Sequence, residues 1–235
     1  MSQTTAQKLR SWSIPVGIIV IAGLLIAVLV LQVKNGSESA SADPAASQQE
    51  QPDLSYVEAR DEADVQSAGP VDAPVGLVVY SDYQCPFCAK WSTDTLPAMM
   101  KYAESGDLRI EWRDVVMYGD DSHRAARAAH AAGMQDKFWE FHDALYPDGE
   151  HLQPDGLTED ALVQLAGELG LDTDRFATDM NSQETNDIIN QYKTEATDLG
   201  VSGTPTFVLG GEPIVGAQPE SVFVDTFEKK LAEAE

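Results

Sequence analysis

The two cysteines of this 235-residue chain stand three positions apart, as Cys85-Pro86-Phe87-Cys88. Two intervening residues let a pair of thiols close and reopen a disulfide within one helical turn. The run before them, Leu77-Val78-Val79-Tyr80, reads as a buried strand, and the run after them, to Tyr102, reads as a helix. A thiol at a strand-to-helix junction faces the positive end of the helix, which favours its anion. Cys85 is therefore expected to be the exposed, low-pKa nucleophile. Cys88, one turn on, is expected to be buried and to resolve the mixed disulfide. Pro86 suits the first helical turn, where its missing N–H costs nothing.

Elements on either side must hold this pair. Asp72-Ala73-Pro74 launches a strand over 76–80, and the helix of residues 85–102 should kink at Pro97. Leu108, Ile110 and Trp112 alternate with Arg109, Glu111 and Arg113, the period of a strand with one wetter face. Residues 122–132, 136–146, 159–169, 172–180 and 183–199 carry helical patterns, Thr158 reading as an N-cap. Strands return at 206–209 and 213–215 around Gly210-Gly211, a hairpin signal, and a helix over 220–232 follows Pro219. The order is β-α-β, a helical block, then β-β-α.

The N-terminus has its own chemistry. Residues 14–31 are 18 consecutive uncharged positions rich in Ile, Val and Leu, about 27 Å of helix against a hydrocarbon core of ~30 Å. Lys8 and Arg10 precede them and Lys34 alone follows. The positive-inside rule then puts residues 1–13 in the cytoplasm, a membrane anchor at 14–33 and everything later outside. A cleaved leader is the competing reading, with Ala40-Ser41-Ala42 as its cleavage site. Either way the main domain is exported, where disulfides persist. Residues 34–53 read as a flexible tether, of which 36–53, poor in large apolar side chains, would have roughly 23 Å of root-mean-square reach. The folded domain then covers 54–235.

The net charge is −24, and the chain beyond residue 35 has 12 bases against 39 acids. Nucleic acid is excluded as a partner of such a surface. His123, His130, His142 and His151 lack the tight local spacing of a zinc site and read as surface or core-edge residues; no metal or cofactor is expected. Trp91, Trp112 and Trp139 read as core. Nothing suggests a dimerisation segment, so a monomer is expected.

With Cys85–Cys88 after the first strand and Gly203-Thr204-Pro205-Thr206 before the hairpin, the chain resembles the DsbA-like disulfide oxidoreductases, especially their membrane-anchored Gram-positive forms. Tyr80-Ser81-Asp82-Tyr83-Gln84 and Phe138-Trp139-Glu140-Phe141-His142 strengthen the likeness. The resemblance implies an α/β thioredoxin-like fold, a central mixed sheet flanked by helices, with an all-helical insertion at about 120–200. It implies a redox-active Cys85–Cys88 disulfide and a cis peptide before Pro205, with the Thr204 backbone binding a client peptide as an added strand. Clients would be reduced or unfolded exported proteins, and a membrane thiol oxidase of the DsbB or VKOR type would reoxidise the pair. Pro86 and Phe87 would tune the redox potential. Phe87 departs from the His of the best-known members and cannot add a positive charge beside the thiolate, so a less oxidising pair is expected. Val79 stands where several such enzymes bury an acid; the nearest acids, Asp82, Glu111 and Asp114, read as surface or turn residues. The implied activity is a dithiol oxidase. The same chemistry run as a reductase or isomerase is the alternative. A binding module with a structural pair is a third reading, disfavoured because so short a disulfide loop stabilises little.

Overall fold

The computed structural model describes residues 53–234. The apolar segment at 14–33 and the tether lie outside these residues. Among the described residues no helix is long and apolar enough to cross a membrane.

Five strands form one sheet in the order β1-β3-β2-β4-β5. They are β1 (Ser67–Ala68), β2 (Val75–Ser81), β3 (Leu108–Asp114), β4 (Thr206–Leu209) and β5 (Glu212–Val215). Only β2 and β3 run parallel; the other neighbours are antiparallel. Every residue of β2 is buried, because both faces of the sheet are covered. Leu77 and Val79 face the large core with Trp91, Phe207, Phe223 and Phe227, whereas Val78 and Tyr80 face Ala196, Val57 and Val208. Gly210 and Gly211 turn the β4–β5 hairpin with φ of 53° and 80°, the left-handed conformation that a two-residue hairpin demands of both positions.

The helix expected over 85–102 is two helices, α1 (Pro86–Asp94) and α2 (Leu96–Ser105), which meet at Thr95. Pro97 lies in the first turn of α2, where its ring no longer obstructs a preceding carbonyl. The helical block comprises α3 (Asp120–Gly133), α4 (Phe138–Ala144), α5 (Glu159–Glu168), α6 (Thr173–Met180) and α7 (Gln183–Asp198). Thr158, Asp172 and Ser182 cap α5, α6 and α7 with side-chain oxygens. The final helix, α8 (Glu220–Ala234), buries Phe223 and Phe227.

The wetter face expected of β3 does not exist. Arg109, Glu111 and Arg113 are all buried. The segment of residues 58–69 lies over them and satisfies their charges. Glu111 accepts the backbone N–H of Ala59 at 2.9 Å and of Arg60 at 2.7 Å, and pairs with Arg113 at 2.7 Å. Arg113 also reaches Asp64 at 2.9 Å, and Arg109 donates to the carbonyls of Gly69 and Asp61. Alternation records that every second residue is charged, not that water is its partner.

Candidate active site

Strand β2 ends at Ser81, and a three-residue turn brings Cys85 to the N-cap of α1 in an extended conformation, with Pro86 first in the helix. The turn is closed by the Cys85 N–H donating to the Asp82 carbonyl at 3.0 Å. Antiparallel pairing of β2 with β4 in the register Tyr80↔Thr206 sets the residues just before β4 beside those just after β2. The Thr204–Pro205 peptide is cis. The Cys85 thiol donates to the Thr204 carbonyl oxygen at 3.2 Å, across 119 residues of sequence. Cys85, Cys88, Thr204 and Pro205 thus meet at one end of the sheet.

Both cysteines are free thiols in this structure. Cys88 has 1% of its surface exposed, and Cys85, expected to be the exposed sulfur, has none. The exposed member of the motif is Phe87, at 62%. The Thr204 loop lies against Cys85 through the hydrogen bond from its thiol.

The two thiols differ sharply in acidity. Cys85 is pulled down to about 5. The Cys88 thiol is the leading cause, followed by the Thr204 hydroxyl and the N–H groups of Cys88 and Phe87 at the helix start; burial works against them. The Thr204 hydroxyl is buried with no hydrogen-bond partner in the dithiol structure. Cys88 is pushed well above the usual thiol range, first by burial and then by Cys85. Such a pair can present one thiolate and hold one proton at neutral pH.

Three acids read as surface or turn residues are buried instead: Asp82, Glu111 and Asp114. Asp82 braces the site. Its Oδ1 accepts Gln84 N–H at 2.8 Å and the Ser122 hydroxyl at 2.6 Å; its Oδ2 accepts the N–H groups of Met117 at 2.7 Å and Tyr118 at 3.3 Å. Asp114 is the register partner of Ser81. It accepts Trp112 Nε1–H at 2.8 Å and Gln66 Nε2–H at 2.9 Å, and Gln66 Oε1 meets His130 Nδ1 at 2.7 Å. Burial outweighs those two donors and pushes the Asp114 carboxyl up to about 8. Ser81 Oγ is buried without a partner of its own, beside Cys88 and the Tyr146 phenol.

His142 is no surface histidine. It is wholly buried, with Nδ1 3.2 Å from the Tyr83 hydroxyl and Nε2 3.2 Å from Ser92 Oγ. Burial lowers its pKa to about 3, so it is neutral in the fold. His130 is also largely buried. Among the described residues no cluster of His, Cys, Asp or Glu is arranged to hold a metal ion. Sequence reasoning weighed Asp114 only as a surface or turn residue, and missed its partner Gln66 and also Tyr146, whose hydroxyl donates to the Asp82 carbonyl at 3.2 Å. Asp82, Tyr83 and His142 lay within the stretches that carried the family likeness, which was the available signal for them.

Residues 62–229 match the family model described as Thioredoxin. The chain is 30% identical over 151 residues to the probable disulfide bond formation protein D of Bacillus cereus, covering 62% of this chain and 70% of that protein. It is 36% identical over 148 residues to a Na(+)/H(+) antiporter, NhaA 3, of Salinispora tropica, but this covers only 21% of that protein, so what is shared is a domain and not the transporter. The crystal structure of oxidised BdbD from Bacillus subtilis superposes with a TM-score of 0.66 at 22% identity, over 77% of this chain and 96% of that one, a likeness of fold. The chain belongs to the thioredoxin family, among its DsbA-like thiol-disulfide oxidoreductases.

Proposed function

We propose that this oxidoreductase is an extracytoplasmic dithiol oxidase that passes a Cys85–Cys88 disulfide to exported proteins. The observation that carries the proposal is the asymmetry of the two thiols, one near 5 and the other raised. An acidic Cys85 favours the dithiol form, which makes the disulfide the stronger oxidant. Relative to an ordinary thiol, a pKa near 5 stabilises the reduced form at pH 7 by roughly 3 kcal/mol, or about 60 mV for two electrons.

The proposed steps balance as follows. A client thiolate attacks Cys85 Sγ in the disulfide; the Cys85–Cys88 bond breaks and its electron pair leaves with Cys88, which takes up a proton. A second client thiolate then attacks the client sulfur of the mixed disulfide and expels Cys85 as a thiolate. The client is oxidised by two electrons and the pair is reduced. A membrane thiol oxidase of the DsbB or VKOR class would restore the disulfide.

Thr204 and Pro205 are assigned to hold the client backbone as an added strand. Their nearness to Cys85 supports this, as does the apolar rim. Of the six most exposed large apolar side chains among the described residues, Phe87 lies within the motif, Met117 and Tyr118 are held by their backbone N–H groups to Asp82, and Val215 pairs with Thr206. In a domain this acidic, an uncharged rim suits the apolar segments of unfolded clients. Residues 14–33 would anchor the enzyme, with residues 1–13 inside the cell, 34–53 as tether and 54–235 as an extracytoplasmic domain. It would act as a monomer.

Thiol trapping of the exported protein tests the direction. An oxidase is recovered from cells mainly as the disulfide, and its loss leaves client thiols free. Recovery mainly as the dithiol would favour the reductase or isomerase reading, which Phe87 in place of His keeps open. Cys88→Ala should accumulate mixed disulfides through Cys85 in either case.

A further inference from the structure

The two faces of the sheet differ in what they leave open. On the face covered by α1 and α8, Ile214 of β5 packs into the large core. On the opposite face, beside the end of α7, a cleft of about 150 Å³ remains. Its walls are Tyr80 of β2, Val208 of β4, Pro213 and Val215 of β5, and Leu199 and Val201 from the turn that follows α7. Val215, at the lip, is 67% exposed. These walls offer little to a polar occupant. The N–H groups of Leu199, Gly200 and Val201 are spent on the carbonyls of Glu195, Thr197 and Ala196, at 3.0, 3.0 and 2.8 Å. Pro213 has no N–H to give. The Tyr80 hydroxyl donates to Glu195 Oε1 at 2.6 Å, and the Thr206 hydroxyl to the Gly203 carbonyl at 2.7 Å.

We infer that this cleft is a client subsite, which takes one Leu, Ile or Phe side chain from the segment held at Cys85. The inference rests on the reading of the Thr204 backbone as the place where a client adds its strand, and it names what that client should carry. Position argues for it. Ser202 and Thr206 both line the cleft, and they stand two residues to either side of Thr204. Side chains of an added strand alternate between the two faces of a sheet. One set is directed to the face of Cys85 and Phe87, and the other to the face of the cleft. Size agrees as well, since an apolar cavity of this volume accepts a benzene molecule. The chain's own tether has nothing to place there. Leu54 lines the cleft where the folded domain begins, but residues 34–53 hold no large apolar side chain.

The test is thiol–disulfide exchange at equilibrium. The full-length Cys88→Ala protein, with glutathione bonded to Cys85, is mixed with short unstructured peptides that each hold one cysteine. The peptide thiolate attacks Cys85 Sγ, and glutathione leaves as its thiolate. Leucine replaces alanine in turn at each peptide position on both sides of the cysteine. At one position leucine should favour exchange by about tenfold. That preference should vanish when Val201→Phe fills the cleft. It should also vanish in Ser202→Asp, which sets a charge at the mouth and, because Ser202 is exposed, leaves the fold intact. A scan with no leucine preference, or a preference that survives both substitutions, overturns the subsite. Dimers in sedimentation that Ser202→Asp dissolves would give the cleft to a second copy and overturn it too. The underlying reading fails differently. N-methylation of the peptide backbone beside its cysteine removes a strand N–H and should weaken exchange in every variant. If it does not, strand addition at Thr204 is wrong whatever the leucine scan shows.

Discussion

At the scale of single residues, what sets this site is the company that each sulfur keeps. Phe87 withholds a charge from Cys85. Phe87→His should lower the Cys85 pKa and raise the reduction potential, measured by alkylation rates and glutathione equilibration; if neither moves, the position does not tune the pair. Asp82 has a structural consequence as well. Asp82→Ala strands three backbone N–H groups and the Ser122 hydroxyl without an acceptor. It should cost on the order of 3 kcal/mol in urea unfolding. Asp82→Asn, which keeps one oxygen, should cost less. The cysteine pair was legible from spacing alone, because chemistry requires the spacing. Asp82, Asp114 and His142 were not, because a lone acid or histidine in a sequence carries no sign of whether protein or water will satisfy it.

At the scale of elements, local signals reported type and order well and surroundings poorly. The cap at Thr158, the Gly210-Gly211 hairpin and the apolar run of β2 each act over a few residues, so each could be read along the chain. Strand β1 could not be: two residues pair with Ile110 and Glu111 only because 58–69 folds back over β3. That segment is a lid on buried charge, and Glu111 is its latch. Glu111→Ala should leave Arg113 short of a partner and free the Ala59 and Arg60 amides. Hydrogen exchange at those two amides should accelerate by more than at Leu77 or Val79. Equal acceleration throughout would mean that the lid and the sheet open together.

At the scale of the whole molecule, burial of two titratable groups, His142 and Asp114, gives stability a pH dependence. His142, near 3 in the fold and 6.5 in the unfolded chain, takes a proton only on unfolding, so stability drops as pH falls from 6.5 towards 3. Asp114, near 8 in the fold and 3.8 when unfolded, keeps a proton that the unfolded chain has lost, so stability drops as pH rises from 3.8 to 8. The slopes oppose each other up to 6.5, and only that of Asp114 remains above it. In the disulfide form, where neither cysteine titrates, Asp114→Asn should remove a decline of up to about 1.4 kcal/mol per pH unit between pH 6.5 and 8. Parallel wild-type and variant curves across that range would show that Asp114 is already ionised there.

The same economy of charge that makes Asp114 reluctant to ionise makes Cys85 eager to, and the direction of the chemistry follows from Cys85. Equilibration of the purified protein with glutathione redox buffers gives its reduction potential directly. The account predicts a value well above the roughly −270 mV of thioredoxin, with Phe87→His higher still. A value at or below that of thioredoxin would contradict an oxidase built on a stabilised Cys85 thiolate.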